Sequence, residues 1–193
     1  MIAFARHGET ASNVAGVLLG RADPPLTDRG WTQARCLGER FAADAPERVL
    51  ASPLRRARDT AQVIAQACGL DAVVDDRLVE IDYGSWDELP FSELSREVVT
   101  KWRADPGFCP PGGESLEDVQ ARVADLCGEL LSSEKPVVAV SHVSPIKAAV
   151  GWAIGVDAGV AWRLRLDLAS VSRIVGSGAA PMLLSFNETD HLT

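Results

Sequence analysis

The sequence predicts an α/β fold, a mainly parallel sheet covered by helices on both faces. Three short apolar runs, at residues 2–5, 48–51 and 136–141, are each followed by a loop and then by helical periodicity, and a fourth run stands at residues 182–186. Strands alternating with helices build βαβ units. The strands of such a sheet are apolar on both sides because helices cover both.

Each element has a local reason. After Thr27-Asp28-Arg29-Gly30, the residues Trp31, Ala34, Leu37, Gly38 and Phe41 fall on one helical face, with Thr27 as the cap. After the second strand, Ser52 is read as a cap and Pro53 as the first helical position, with Leu54, Ala57, Ala61, Ile64 and Cys68 as the buried stripe. Residues 78–86 follow another short strand pattern. Ser115 opens a third helix with Leu116, Val119, Val123, Leu126 and Leu130 inward, and Ser144 or Pro145 opens a fourth that runs to about Ile154. Residues 163–176 alternate apolar and polar and predict further strands, and residues 176–181 read as a hairpin turn because Pro181 stands where a phosphate loop would start its helix. With no linker, low-complexity stretch or repeat, residues 1–193 read as one domain.

Composition agrees: 193 residues, 47% hydrophobic and 24% charged, exclude disordered, collagen-like and disulfide-scaffold chains. Nineteen basic residues against 27 acidic ones give a net charge of −8, which argues against partnership with nucleic acid or an anionic membrane. An anionic ligand must find a local basic spot. Cys36, Cys68, Cys109 and Cys127 are scattered without a CxxC pair, the pattern of reduced thiols in a cytoplasmic protein. Arg6-His7 interrupts the first apolar run too early for a secretory signal, no run approaches a membrane span, and Asn187-Glu188-Thr189 is a sequon by coincidence. Oligomeric state is left open, a homodimer included.

In open α/β sheets ligands bind beyond the carboxyl ends of the strands. There the sequence places Arg6-His7-Gly8-Glu9-Thr10, then Ser52 with Arg55, Arg56 and Arg58, then Ser141-His142, so two of only three histidines converge with several arginines. Guanidinium groups repel metal cations and match phosphate oxygens, so the expected ligand is a small phosphorylated substrate, with no metal and no cofactor. A neutral imidazole is a phosphoryl acceptor without an auxiliary base, and His7 is the candidate nucleophile. His142 becomes a second phosphate contact, expected to be protonated beside a dianion. An acid for the leaving alcohol must come from residues 78–86, and the chemistry does not choose between Glu80 and Asp82. His191 is read as a tail residue, Arg55 and Arg58 as a solvated helix face with Arg55 pairing to Asp59, and four of the five tryptophans as packing residues, Trp86 alone having motif grounds to line a pocket.

These residues resemble a known family, the histidine phosphatases, in the branch that includes cofactor-dependent phosphoglycerate mutase. Arg6 to Thr10 with Asn13 matches its opening motif, and residues 20–30, 52–61, 78–86, 111–115 and 140–142 continue the series in order over nearly the whole chain. The resemblance implies that His7 is phosphorylated, that Arg6, Arg56 and His142 hold the phosphate, that Glu80 is the proton donor, and that Asn13 and the backbone at Gly20 line the pocket. It also implies a phosphoglycerate mutase-like fold, a three-layer α/β/α sandwich with one antiparallel edge strand. Two positions depart from the pattern: Val143 replaces the glycine after the second histidine, and Asp87-Glu88-Leu89 replaces an acid-Gly pair after Trp86.

Within the family, hydrolysis is favoured over mutase transfer. A mutase needs a closing lid and cations for a second acidic group. Residues 90–110, with Arg96, Lys101 and Arg103, form the candidate lid and are shorter than the insertion the mutases imply. The expectation is a metal-independent phosphomonoesterase of the histidine acid phosphatase type, acting on a small metabolite through a phosphohistidine. Phosphoglycerate mutase activity is the alternative, and a catalytically inactive phosphate-binding regulatory module is the alternative from another class.

Overall fold

The computed structural model describes residues 1–192. Its strands are β1 (Ile2–Arg6), β2 (Arg48–Ala51), β3 (Ala72–Val74), β4 (Val137–Ser141), β5 (Val171–Ser177) and β6 (Ala180–Glu188). Its α-helices are α1 (Ala11–Ala15), α2 (Asp28–Asp44), α3 (Arg55–Cys68), α4 (Arg96–Ala104), α5 (Leu116–Ser132) and α6 (Val143–Ala153). The strands form one sheet in the order β3-β2-β4-β1-β5-β6. β3, β2, β4 and β1 are parallel, β5 is antiparallel to β1, and β6 is antiparallel to β5. β5 is therefore the one strand running against the other five. It lies one place in from the edge, because the tight turn after Ser177 can join it to β6 only as a hairpin.

Helices cover both faces, giving the α/β/α sandwich. Side chains along β1 and β4 alternate between two cores: Ile2, Phe4, Val137 and Ala139 pack with Leu126, Leu130 and Ile146 of α5 and α6, while Ala3, Ala5, Val138 and Val140 pack with Leu37, Phe41 and Ile64 of α2 and α3. Burial of each such Phe, Leu or Ile contributes about 1.5–3 kcal/mol.

Caps and boundaries follow their residues with instructive exceptions. Thr27 accepts a hydrogen bond from the Gly30 amide at 3.0 Å, and Ser115 forms a reciprocal capping box with Asp118. α3, by contrast, begins at Arg55 with no side-chain cap, because the cap position falls on Leu54, two residues later than the predicted Ser52. α6 begins at Val143, slightly earlier than predicted. Residues 163–170 form no strand; the short strand that residues 78–86 follow is β3, and residues 76–86 hold two 3₁₀ turns. α1, closed by a Thr10–Asn13 capping box, and α4, opened by Ser95, have too few apolar residues to show in the pattern.

Register positions the site. Arg6 pairs with Ser141 on adjacent parallel strands, so the next residue of each, His7 and His142, leave the sheet side by side. Ala51 pairs with Val140, which brings Ser52 to the same rim.

Candidate active site

His7 is held by its backbone: its amide donates to the Ser141 carbonyl, and its own carbonyl accepts from the Ala169 amide. The ring is buried, and Nδ1 lies 2.7 Å from the Gly8 carbonyl oxygen. A carbonyl only accepts, so the hydrogen is assigned to Nδ1 and Nε2 keeps its lone pair. Burial, reinforced by the charges of Arg56 and Arg6, holds the imidazole well below the ordinary histidine pKa. It is neutral at neutral pH. Gly8 permits this close packing, since a Cβ there would strike the Gly30 carbonyl.

Two guanidinium groups flank the ring. Arg6 donates through Nη1 to the Leu166 carbonyl at 2.7 Å, and burial lowers its pKa to about 10, still charged. Arg56, on the first turn of α3, is fully buried and donates to the carbonyls of Ala22 at 2.7 Å and Gly20 at 2.9 Å. Burial lowers its pKa as well, partly offset by Glu80, Asp23 and Asp87. The Nε atoms of both arginines are buried and have no hydrogen-bond partner.

The His142 ring lies 5.0 Å from that of His7, centroid to centroid. Its Nε2 is 2.7 Å from Ser52 Oγ, while Nδ1 is buried and has no partner. Burial, then the charges of Arg56, His7 and Arg6, hold His142 well below its ordinary pKa, a direction that the dianion expected beside it opposes. Ser52 Oγ also accepts from the Leu54 amide at 3.3 Å; if its own hydrogen points at His142 Nε2, the ring hydrogen lies on Nδ1.

Glu80 sits against the start of α6. Its Oε1 accepts from the amides of Ile81 and Ser144, and its Oε2 accepts from that of Val143 at 3.0 Å. Val143, which stands where the family pattern has glycine, thus donates its amide to Glu80. Asp82, the alternative, caps Gly84 through its side chain instead.

Arg6, His7, Asn13, Leu18, Glu80, Tyr83 and Val143 line a cavity of about 120 Å³. The structure thus brings together Arg6, His7, Glu80 and Asn13 on one cavity, with Arg56 and His142 beside His7. Asn13 also closes α1 by accepting from the Thr10 amide at 3.0 Å. Gly20 is placed differently from expectation: its amide donates to Asp87 and its carbonyl accepts from Arg56, so it stands behind the guanidinium. A Cβ at Gly20 would lie 2.8 Å from the Ile81 carbonyl oxygen. Among the described residues no group of three or more His, Cys, Asp and Glu is placed to hold a metal ion, and no helix is long and apolar enough to cross a membrane.

Buried cations and imidazoles gathered at the strand ends are the arrangement the family pattern demands. The family model described as "Histidine phosphatase superfamily (branch 1)" matches residues 2–189. The chain belongs to that superfamily. Over 198 aligned positions it is 40% identical to "Bifunctional protein Rv2228c" of Mycobacterium tuberculosis, covering 97% of this chain and 53% of that protein. The chain therefore spans about half the length of that relative. It is 34% identical to "Phosphoserine phosphatase 1" of Hydrogenobacter thermophilus, covering 97% of this chain and 92% of the other. Among solved structures, a mycobacterial glucosyl-3-phosphoglycerate phosphatase complexed with VO3 superposes with a TM-score of 0.90 at 30% identity, covering 97% of this chain and 99% of that one. Phosphatases thus stand among both the relatives and the structural neighbours of this superfamily member.

Three site features were not foreseen. Ser52 was legible by the rule that found His142, as a residue just past a strand, but its cap-like context concealed it. Asp87 accepts from the amides of Gly20, Arg21 and Ala22 at 2.7, 2.9 and 2.7 Å, clamping the loop that holds Arg56. No local pattern announces that contact, which spans more than 60 positions. Trp102 and Trp162, assigned to packing, line a second cavity beside the first, whereas Trp86 stacks on Phe108.

Proposed function

We propose that this superfamily member hydrolyses small phosphomonoesters through a phosphohistidine, without a metal. The observation that carries the reading is the neutral His7 ring with a free Nε2, flanked by two buried guanidiniums whose Nε groups lack partners. The ester phosphate binds between Arg6, Arg56 and the Nδ1–H of His142. His7 Nε2 attacks phosphorus in line, the P–O bond to the alcohol breaks, and the guanidiniums neutralise the equatorial oxygens. Glu80 donates the leaving oxygen its proton. Its Oε2 accepts only one amide and is the oxygen left to carry that proton. In the second step Glu80 takes a proton from water, the hydroxide attacks phosphorus, and the P–N bond to His7 breaks to release phosphate.

The test is a rapid-mixing experiment with a labelled ester, quenched without acid. An acid-labile phosphoprotein should appear and be absent in His7→Ala; its absence from the native protein during turnover overturns the reading.

The mutase alternative ranks second. None of Arg96, Lys101 and Arg103 lines the phosphate cavity: Lys101 pairs with Glu97 and Arg103 lies over the Trp162 ring. Incubation with 3-phosphoglycerate and a bisphosphoglycerate primer should yield free phosphate; isomer without phosphate favours the mutase. The inactive-module alternative, motivated by Val143 and the altered segment after Trp86, ranks third because the positions of Arg6, His7, Arg56, Glu80 and His142 are all filled.

A further inference from the structure

A second cavity, of about 180 Å³, opens beside the phosphate cavity and shares Leu18, Tyr83 and Val143 with it. Phe91, Trp102, Leu116 and Trp162 supply most of its remaining wall, and Lys147, one turn after Val143 on α6, is its cation. The aromatic wall is ordered edge to face: Trp102 and Trp162 have centroids 4.8 Å apart at 88°, and Tyr83 and Trp102 5.9 Å apart at 85°. Trp102 is 3% exposed. The indole nitrogens of Trp102 and Trp162 are both buried without an acceptor. Lys147 Nζ donates to the Ala161 carbonyl at 2.9 Å, which uses one of the three hydrogens of an ammonium. Carbon walls and a single ammonium are therefore what this chamber presents.

We infer that the chamber receives the alcohol portion of the substrate, and that this alcohol carries a flat, largely apolar ring. The inference rests on the phosphomonoesterase reading. Size permits it, since a dry apolar cavity of about 150 Å³ takes up benzene. Chemistry selects it over a small carboxylate-bearing alcohol, whose charge would exchange water for carbon walls and a single ammonium.

Phosphonates in which a methylene replaces the ester oxygen report binding without turnover. Calorimetry on the full chain should show 2-phenylethylphosphonate binding about tenfold or more tightly than propylphosphonate and 2-amino-4-phosphonobutanoate, as burial of one aromatic ring predicts. Benzyl phosphate should exceed ethyl phosphate and phosphoserine in kcat/KM in the same order. Phe91→Ala, at an exposed position, and Trp162→Ala should each shrink the phenyl preference to within about threefold. Equal affinities, preference for the amino acid phosphonate, or a preference unchanged in the folded variants overturns the inference. Phenyl preference in binding with no ester hydrolysed defeats the hydrolase reading alone, and hydrolysis without that preference defeats the chamber assignment alone.

Discussion

Ser52 Oγ lies 2.7 Å from Nε2 of His142, so a residue just past the end of one strand is hydrogen-bonded to a histidine just past the end of its neighbour. Where the serine directs its hydrogen at Nε2, the ring hydrogen sits on Nδ1, the atom left without a protein partner. A neutral imidazole can then donate to a phosphate oxygen with no need to be protonated. Ser52→Ala removes that bias and should lower kcat/KM by about tenfold. It should also change the 15N NMR signature of the His142 ring, which a purely structural serine would leave alone. An unchanged ring signature would show that Ser52 does not set the tautomer.

Asp87 acts on the phosphate site through the loop at residues 20–22. Its carboxylate holds three amides there, and the carbonyls of Gly20 and Ala22 hold Arg56. Asp87→Ala leaves those amides without their acceptor, at a cost of about 1–3 kcal/mol to the extent that water cannot replace it. Arg56 loses its seat as well. Weaker competition by inorganic phosphate, by about tenfold, is expected in a steady-state assay, together with a lowered melting temperature. Unaltered phosphate inhibition would separate Asp87 from the anion site.

What the sequence made legible divides along contact range. β1, β2 and β4 carry continuous apolar runs, and α2, α3 and α5 carry strong helical stripes, so local periodicity sufficed to locate them. His7 and His142 were found because each directly follows such a strand. Arg56 needed the family resemblance, since its own helix turn also carries Arg55 and Arg58; the solvated face read for those two is what the fold shows, and the burial of Arg56 comes from tertiary contacts. Ser52, Asp87 and the Trp102–Trp162 pair were hidden because their roles come from tertiary contacts rather than from neighbours in sequence. α1 and α4 depend on caps more than on apolar stripes, and a few turns of polar helix resemble a loop in the pattern.

Glu88 stands where the family pattern has glycine, and its backbone shows why: φ is 63°, in the left-handed region. The residue is fixed there by its amide donating to the Leu18 carbonyl at 2.7 Å, with the Leu18 amide donating back to Leu89 at 2.8 Å. A non-glycine residue in this conformation costs roughly 1–2 kcal/mol, while glycine loses about 0.5–1 kcal/mol through its freer unfolded chain. Glu88→Gly should therefore stabilise the protein by about 0.5–1 kcal/mol, raising the melting temperature by about 1–4 °C. A lowered melting temperature would show that the Glu88 side chain contributes more than its backbone strain costs.

The two buried histidines also make stability depend on pH. Both have folded-state pKa values well below the unfolded value of about 6.5, each chiefly through burial. Between the folded and unfolded values the unfolded chain binds more protons, so stability rises with pH in that window. The contribution is complete above about pH 6.5 and is lost as pH falls toward the folded values, with a slope of at most about 1.4 kcal/mol per pH unit for each ring. The lowered carboxyl groups of Asp75, Asp118, Asp167 and Glu188 act in a separate, more acid window, below the ordinary carboxylate range. Urea unfolding at about pH 7.5 and about pH 5.5 should show a loss of stability on acidification that is roughly halved in His142→Gln. Saturating phosphate should flatten the dependence further, because a bound dianion favours the protonated rings that burial disfavours. A slope that His142→Gln leaves unchanged would place the acid sensitivity elsewhere in the molecule.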